Sequence, residues 1–146
     1  MKILITSDIH GQRDKLKQVI KKHADVDFHI DCGDLCLDQN HSETQQIITV
    51  KGNNDFYSLA PYERVVDLKG LKIYMTHGHL QHVKFGLDRL IKNALSHHAD
   101  LCVFGHTHQR YLNVKEKMII CNPGALSGYD QSYALYHDGQ ITFYKL

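Results

Sequence analysis

No apolar run in these 146 residues is long enough to cross a bilayer. No signal-peptide pattern precedes the first strand-like stretch, Lys2-Ile3-Leu4-Ile5-Thr6. Charge of one sign is lacking as well. The formal net value is +1, so nothing steers the chain towards nucleic acid or an anionic membrane. There is no internal repeat, low-complexity segment or linker, and only two prolines occur, Pro61 and Pro123, both in turn-like surroundings. Four cysteines (Cys32, Cys36, Cys102, Cys121) read as reduced, partly buried thiols. Cys32 and Cys36 lack the second matching pair that a structural zinc site needs. These absences leave a cytoplasmic protein folded as one domain over residues 1–146, large enough for a substantial core. Self-association is compatible with all of this.

Histidine, by contrast, is abundant: there are 12. Short apolar runs place them. Lys2 to Thr6, Phe28-His29-Ile30 and Ile47-Ile48-Thr49-Val50 read as strands, and a helix between the first two carries Leu16, Val19, Ile20 and His23 on one face. Residues 35 to 46 are mostly polar, a loop or short helix. Strand, helix, strand, short connection, strand suggests a parallel sheet. Val65 to Leu68 and Leu71 to Met75 then form a hairpin across Lys69-Gly70. An amphipathic helix is expected from about Val83 to His98, with Leu87, Leu90, Ile91, Ala94 and Leu95 as its stripe. Leu101-Cys102-Val103-Phe104 reads as a buried strand. The tail is β-rich: Arg110 to Val114, Met118 to Cys121, Tyr133 to His137 and Ile141 to Leu146. The expected fold is α/β, two mixed sheets face to face with helices on the outer faces.

Five of these strands end in a glycine-containing turn that carries Asp, His or Asn. The residues are Asp8 and His10, Asp34, Asn53, His77, and His106 and His108. In an open α/β sheet ligands bind beyond the carboxyl ends of the strands, so side chains distant in sequence converge at one edge. Any one turn is explained by ordinary turn chemistry. Asp8 or Asp34 alone is as well read as a helix cap, and Asn53 alone as a turn residue. Five turns in phase with five strand ends are harder to explain that way.

The residue types point to metal. Carboxylate, imidazole and amide oxygen suit a first-row divalent ion such as manganese, iron, nickel or zinc, whereas an all-oxygen set would favour magnesium or calcium. Two imidazoles one residue apart in Gly105-His106-Thr107-His108 cannot both face one ion with good geometry, which suggests two neighbouring ions. A carboxylate with two oxygens can join them, and Asp34 is the candidate. Two dications against two carboxylates leave a positive pocket that favours an anion such as phosphate. His23, His29, His41, His82, His97, His98 and His137 fit no motif.

Taken in order, Asp8-Ile9-His10, Gly33-Asp34, Gly52-Asn53-Asn54-Asp55, His77-Gly78-His79 and Gly105-His106-Thr107-His108 resemble the motifs of the calcineurin-like metallophosphoesterases. The resemblance is strongest to their small YfcE-type phosphodiesterase branch and covers nearly the whole chain. It implies a four-layer α-β-β-α sandwich with a dinuclear metal site at the strand ends. Asp8, His10 and His108 would hold one ion, Asn53, His77 and His106 the other, and Asp34 would bridge. The ions, manganese first with zinc, iron or nickel as alternatives, would share a water made nucleophilic at neutral pH. The implied activity is hydrolysis of phosphodiesters. Alternatives are a phosphomonoesterase on a small phosphate or nucleotide, and a non-catalytic protein-binding scaffold like the retromer-subunit branch, which has lost several ligands.

One position departs from the wider superfamily, where histidine often follows the Gly-Asn pair. Here Asn54 stands, able to donate a hydrogen bond but not to act as an acid near pH 7. His79 or His10 is then the candidate proton donor, and general acid help is commonly worth about 10²–10⁴-fold. Asp31 and Asp55 are the candidate partners for the free histidine nitrogens.

Overall fold

A computed structural model describes residues 1–146. Its first sheet has the order β10 (Gln140–Lys145), β9 (Ser132–His137), β1 (Lys2–Thr6), β2 (Phe28–Asp31), β3 (Ile47–Thr49), and its second β4 (Glu63–Leu68), β5 (Leu71–Thr76), β6 (Leu101–Val103), β8 (Met118–Pro123), β7 (Arg110–Lys115). In the first sheet β1, β2 and β3 run parallel, while β9 and β10 add an antiparallel hairpin. The second sheet repeats the scheme. Parallel β5, β6 and β8 are flanked by antiparallel β4 and β7. Three hairpins close through two-residue turns, Lys69-Gly70, Glu116-Lys117 and Asp138-Gly139, each with both φ positive. That geometry matches the natural twist of paired strands.

Period-2 alternation makes the layers. Ile3, Ile5, Ile73, Met75, Leu101, Val103 and Ala134 point between the sheets and form one buried core. Their neighbours Leu4 and Tyr133 face the opposite way, onto Leu16 and Val19 of α1 (Arg13–Lys22). Tyr74, Cys102 and Ile120 likewise face Leu90 and Ala94 of α2 (Asp88–Ser96). The result is the α-β-β-α stack.

The second helix is shorter than the expected span from Val83 to His98. Val83–Phe85 forms only a 3₁₀ turn, and α2 begins at Asp88 rather than Val83. Gly86 (φ 138°), within the expected span, holds a backbone angle no right-handed helix contains, so the helix cannot run through it from Val83. Residues 35–46 form a loop of turns, in which the Thr44 hydroxyl bonds the Asp38 and His41 carbonyls at 2.8 and 3.0 Å.

Candidate metal centre

The ends of β1, β2, β5 and β6 deliver side chains to a single seam between the sheets. Asp8 Oδ1 lies 2.9 Å from His108 Nε2, 3.6 Å from His10 Nε2 and 3.9 Å from His77 Nε2. Asp34 Oδ2 lies 3.3 Å from His77 Nε2 and 3.6 Å from His10 Nε2. Two groups result, Asp8–His10–His108 and Asp8–Asp34–His77, each with ligand atoms close enough to surround one ion. His106 stacks edge-on against His77, ring centres 5.1 Å apart, and His79 lies 5.5 Å from His77 and 6.1 Å from His106. Asn53 is placed differently. It is exposed and lines a small cavity of about 310 Å³ together with Lys51, Tyr62 and His79.

Local backbone geometry aims these groups. Asp8, His10, Asp34, His106 and His108 all have positive φ, between 48° and 69°. Non-glycine residues adopt that region at a cost, and clusters of it mark sites where strain is retained for function. Two glycines are required by close approach. A Cβ on Gly52 would stand 2.2 Å from Asp34 Oδ1, and one on Gly105 would stand 2.0 Å from Ser7 Oγ.

Each carboxylate is held by donors. Asp8 Oδ2 accepts from Ser7 Oγ at 2.5 Å and from the His106 backbone N–H at 3.1 Å. Asn54 grips Asp34 twice, its backbone N–H on Oδ1 and its side-chain amide on Oδ2, both at 2.8 Å. His77 Nδ1 donates to the Cys32 carbonyl at 2.7 Å, which leaves the lone pair on Nε2 pointing into the seam. This partner differs from the expected Asp31 or Asp55. Asp55 instead accepts the backbone N–H groups of Asp34, Gly52 and Cys36 at 2.7–2.9 Å, and Asp31 accepts that of Gly33 at 3.0 Å. Both shape the turns that carry the ligands.

Burial drives the Asp8 carboxyl upward, but the adjacent His10 and His108 imidazoles, the charge of His77 and the Ser7 hydroxyl outweigh it and hold Asp8 far below the carboxylate range. Burial also raises Asp34, and His77 with Asn54 overcome it, bringing Asp34 to about 2. His10 is raised chiefly by the neighbouring Asp8 carboxylate. Burial would lower His77, yet Asp34 and Asp8 raise it. Burial lowers His79, and with His77 lowers His106 to about 4.

A divalent cation fits this set. Asp8 Oδ1, His10 Nε2, His77 Nε2 and His79 Nδ1 are buried with no hydrogen-bond partner. The basic groups within ion-pair range of Asp8 and Asp34 are all imidazoles. Buried acceptors so arranged are costly unless a cation completes them.

Sequence reasoning missed Ser7, Ser127 and Asn122. Ser127 Oγ donates to the Asp8 carbonyl at 2.6 Å. Asn122 Nδ2 donates to the Gly105 carbonyl and Thr107 Oγ1 at 3.0 and 3.1 Å, pinning the two-histidine turn.

The sequence model of the calcineurin-like phosphoesterase superfamily domain matches residues 1–138. The probable metallophosphoesterase YsnB of Bacillus subtilis (strain 168) is 36% identical, over 86% of this chain and 75% of its own length. Phosphodiesterase YfcE of Escherichia coli (strain K12) is 27% identical over the whole chain and 92% of its own. A crystal structure of a predicted phosphoesterase from Streptococcus pneumoniae TIGR4 superimposes with a TM-score of 0.85 at 26% identity, covering 99% of this chain and 97% of that one.

Proposed function

This chain belongs to the calcineurin-like phosphoesterase superfamily, and from that premise we propose that it hydrolyses phosphodiesters with two divalent ions held at the seam between its sheets. It is a metal-dependent hydrolase of phosphoric esters. Asp8, His10 and His108 would hold one ion, and His77, His106 and Asn53 the other, with Asp34 between them. Manganese is the proposed metal. We assign the reaction to a single domain spanning the whole chain and place it in the cytoplasm, in keeping with four cysteines left as thiols. The observation that carries the reading is the convergence of buried, unpartnered Asp8 Oδ1, His10 Nε2 and His77 Nε2 on one point of the seam.

Bound divalent ions supply a water-derived nucleophile near neutral pH and positive charge for the phosphoryl oxygens. The protein's own residues position and restrain. The Cys32 carbonyl fixes the His77 tautomer. Asn54, by gripping both Asp34 oxygens, keeps that carboxylate ionised and oriented. His79, held neutral by burial and lining the small cavity with Asn53, keeps Nδ1 unpartnered as a hydrogen-bonding group rather than as a strong acid. With Asn54 engaged, His79 neutral and His10 committed to an ion, the leaving oxygen receives little protonation, so good leaving groups react fastest.

Bis(p-nitrophenyl) phosphate and p-nitrophenyl phosphate, assayed side by side with manganese-loaded protein, test this. Faster diester turnover is expected, and faster monoester turnover would overturn it. Asn54→His should shift the ratio towards the monoester.

A further inference from the structure

Beside the metal centre lies a larger hollow that hydrolysis as described does not use, an open cleft of about 770 Å³. One wall is the loop after β2, from Leu35 to Asn40; the other is the loop after β3, from Asn54 to Leu59. Asn54 joins it to the centre, since its side-chain amide lies 2.8 Å from Asp34 Oδ2.

The chemistry of the walls is selective. Leu35, Leu37, Phe56, Tyr57 and Leu59 supply the apolar surface. Phe56 is 75% exposed, and Tyr57 and Leu59 are completely exposed at 99% and 101%. Large apolar groups clustered in water at the lip of a polar site mark a surface that a ligand covers. Gln39, Asn40 and Ser58 add neutral hydrogen-bonding groups. No lysine, arginine or histidine lines the cleft, and its charged members are Asp38 and Asp55. Such a cleft repels a second phosphate and accepts a neutral group.

We propose that this cleft seats the non-leaving organic arm of the diester, a planar aromatic substituent resting against Phe56 and Tyr57, with its phosphorus at the metal centre. The assignment rests on the phosphodiesterase reading. Aryl esters and nucleosides share this planar, uncharged chemistry, and the volume lies within the range of small-molecule sites, about 300–1,000 Å³.

Three substrates with one leaving group isolate the arm: methyl, phenyl and thymidine 5′-(p-nitrophenyl) phosphates. Manganese-loaded wild-type protein should favour an aromatic arm over methyl by about tenfold in kcat/KM, the scale of one aromatic stack. A preference for phenyl and thymidine alike identifies the aromatic face as the determinant; a preference for thymidine alone adds the amide groups. In Tyr57→Ala and in Leu37→Asp, on opposite walls, the aromatic-to-methyl ratio should fall towards one. That ratio, taken within one sample, cancels differences in folded or metal-loaded fraction. Equal rates for all three substrates, or a ratio untouched by both variants, would overturn the proposal. So would a Tyr57→Ala variant that changes the oligomeric state by light scattering while keeping the ratio, since the cleft would then seat a second copy. Should none of the three be hydrolysed, the phosphodiesterase reading fails instead. The cleft is then decided by saturation-transfer NMR of thymidine with metal-free protein: transfer lost in Tyr57→Ala supports it, and no transfer to wild type refutes it.

Discussion

The two sheets meet at the seam with different chemistry. The first contributes both carboxylates, Asp8 and Asp34, together with His10 and the amide of Asn54. The second contributes imidazoles, His77, His79, His106 and His108. Their restraint differs too. Both carboxylates are clamped by two donors each, whereas among the second sheet's rings only His77 has a hydrogen bond to backbone, and His108 is 46% exposed. The first sheet therefore provides fixed negative charge, and the second provides imidazole ligands with more room to adjust. Neither edge is a site alone, because Asp8 of the first sheet must meet His77 and His108 of the second.

The sharpest way to break this comparison is to remove one ligand from each side. Asp34→Ala takes away a clamped charge, and activity should drop by about 10²–10³-fold or more, the scale of a group that stabilises developing charge. Metal stoichiometry, measured by elemental analysis, should drop with it. His106→Ala should cost less on both counts. Equal losses would mean that the division between rigid acid edge and adaptable imidazole edge is wrong.

Next in size are the glycines that let the clamps close. Gly52→Ala forces a Cβ onto Asp34, and Gly105→Ala forces one onto Ser7 and Asp8. Each should destabilise the fold by about 1–3 kcal/mol, the usual cost of overpacking. Calorimetric titration with manganese should show weakened binding in both. Unchanged affinity in Gly105→Ala would show that the second sheet can retreat without disturbing the first.

The smallest effect concerns the support beneath the acid edge. His29 Nε2 lies 2.9 Å from Thr6 Oγ1, which donates to Asp31 Oδ2 at 2.9 Å, while Thr49 donates to Asp31 Oδ1 at 3.1 Å. Burial lowers His29 to about 3 and raises Asp31 to about 7, the latter against the hydrogen bonds from Thr6, Gly33 and Thr49. Between about pH 4 and 6.5 the unfolded chain carries a proton on His29 and none on Asp31, and the folded chain the reverse. The two dependences offset. In His29→Asn only Asp31 remains, whose folded form holds a proton that the unfolded form has released, so stability should fall as pH rises. Denaturant midpoints should show the variant losing roughly 1–3 kcal/mol relative to wild type between pH 4.5 and 6.5. A constant difference would place the Asp31 proton elsewhere.

Much was legible in the linear chain because the relevant physics is local. Alternating Ile3, Leu4 and Ile5, or Ile73, Tyr74 and Met75, sort faces by period, and the turn chemistry of Gly33-Asp34 and Gly105-His106 marks strand ends. The helix expected over Val83 to His98 starts only at Asp88, because an apolar stripe does not reveal that Gly86 takes an angle outside the helix. Asn54 could be recognised as a hydrogen-bond donor, but its grip on Asp34 depends on two turns twenty residues apart lying side by side.

The amino-acid sequence by itself determined the layers, the strand ends and the kinds of ligand available, since periodicity, turn preference and donor chemistry belong to short segments. Tertiary structure alone decided that Ser7 and Ser127 tie down Asp8, that Asn122 pins the two-histidine turn, and that Asn53 stands exposed. It alone set the loops after β2 and β3 opposite one another as a cleft. These are contacts between distant segments, fixed by how two twisted sheets pack, and no local pattern encodes that geometry.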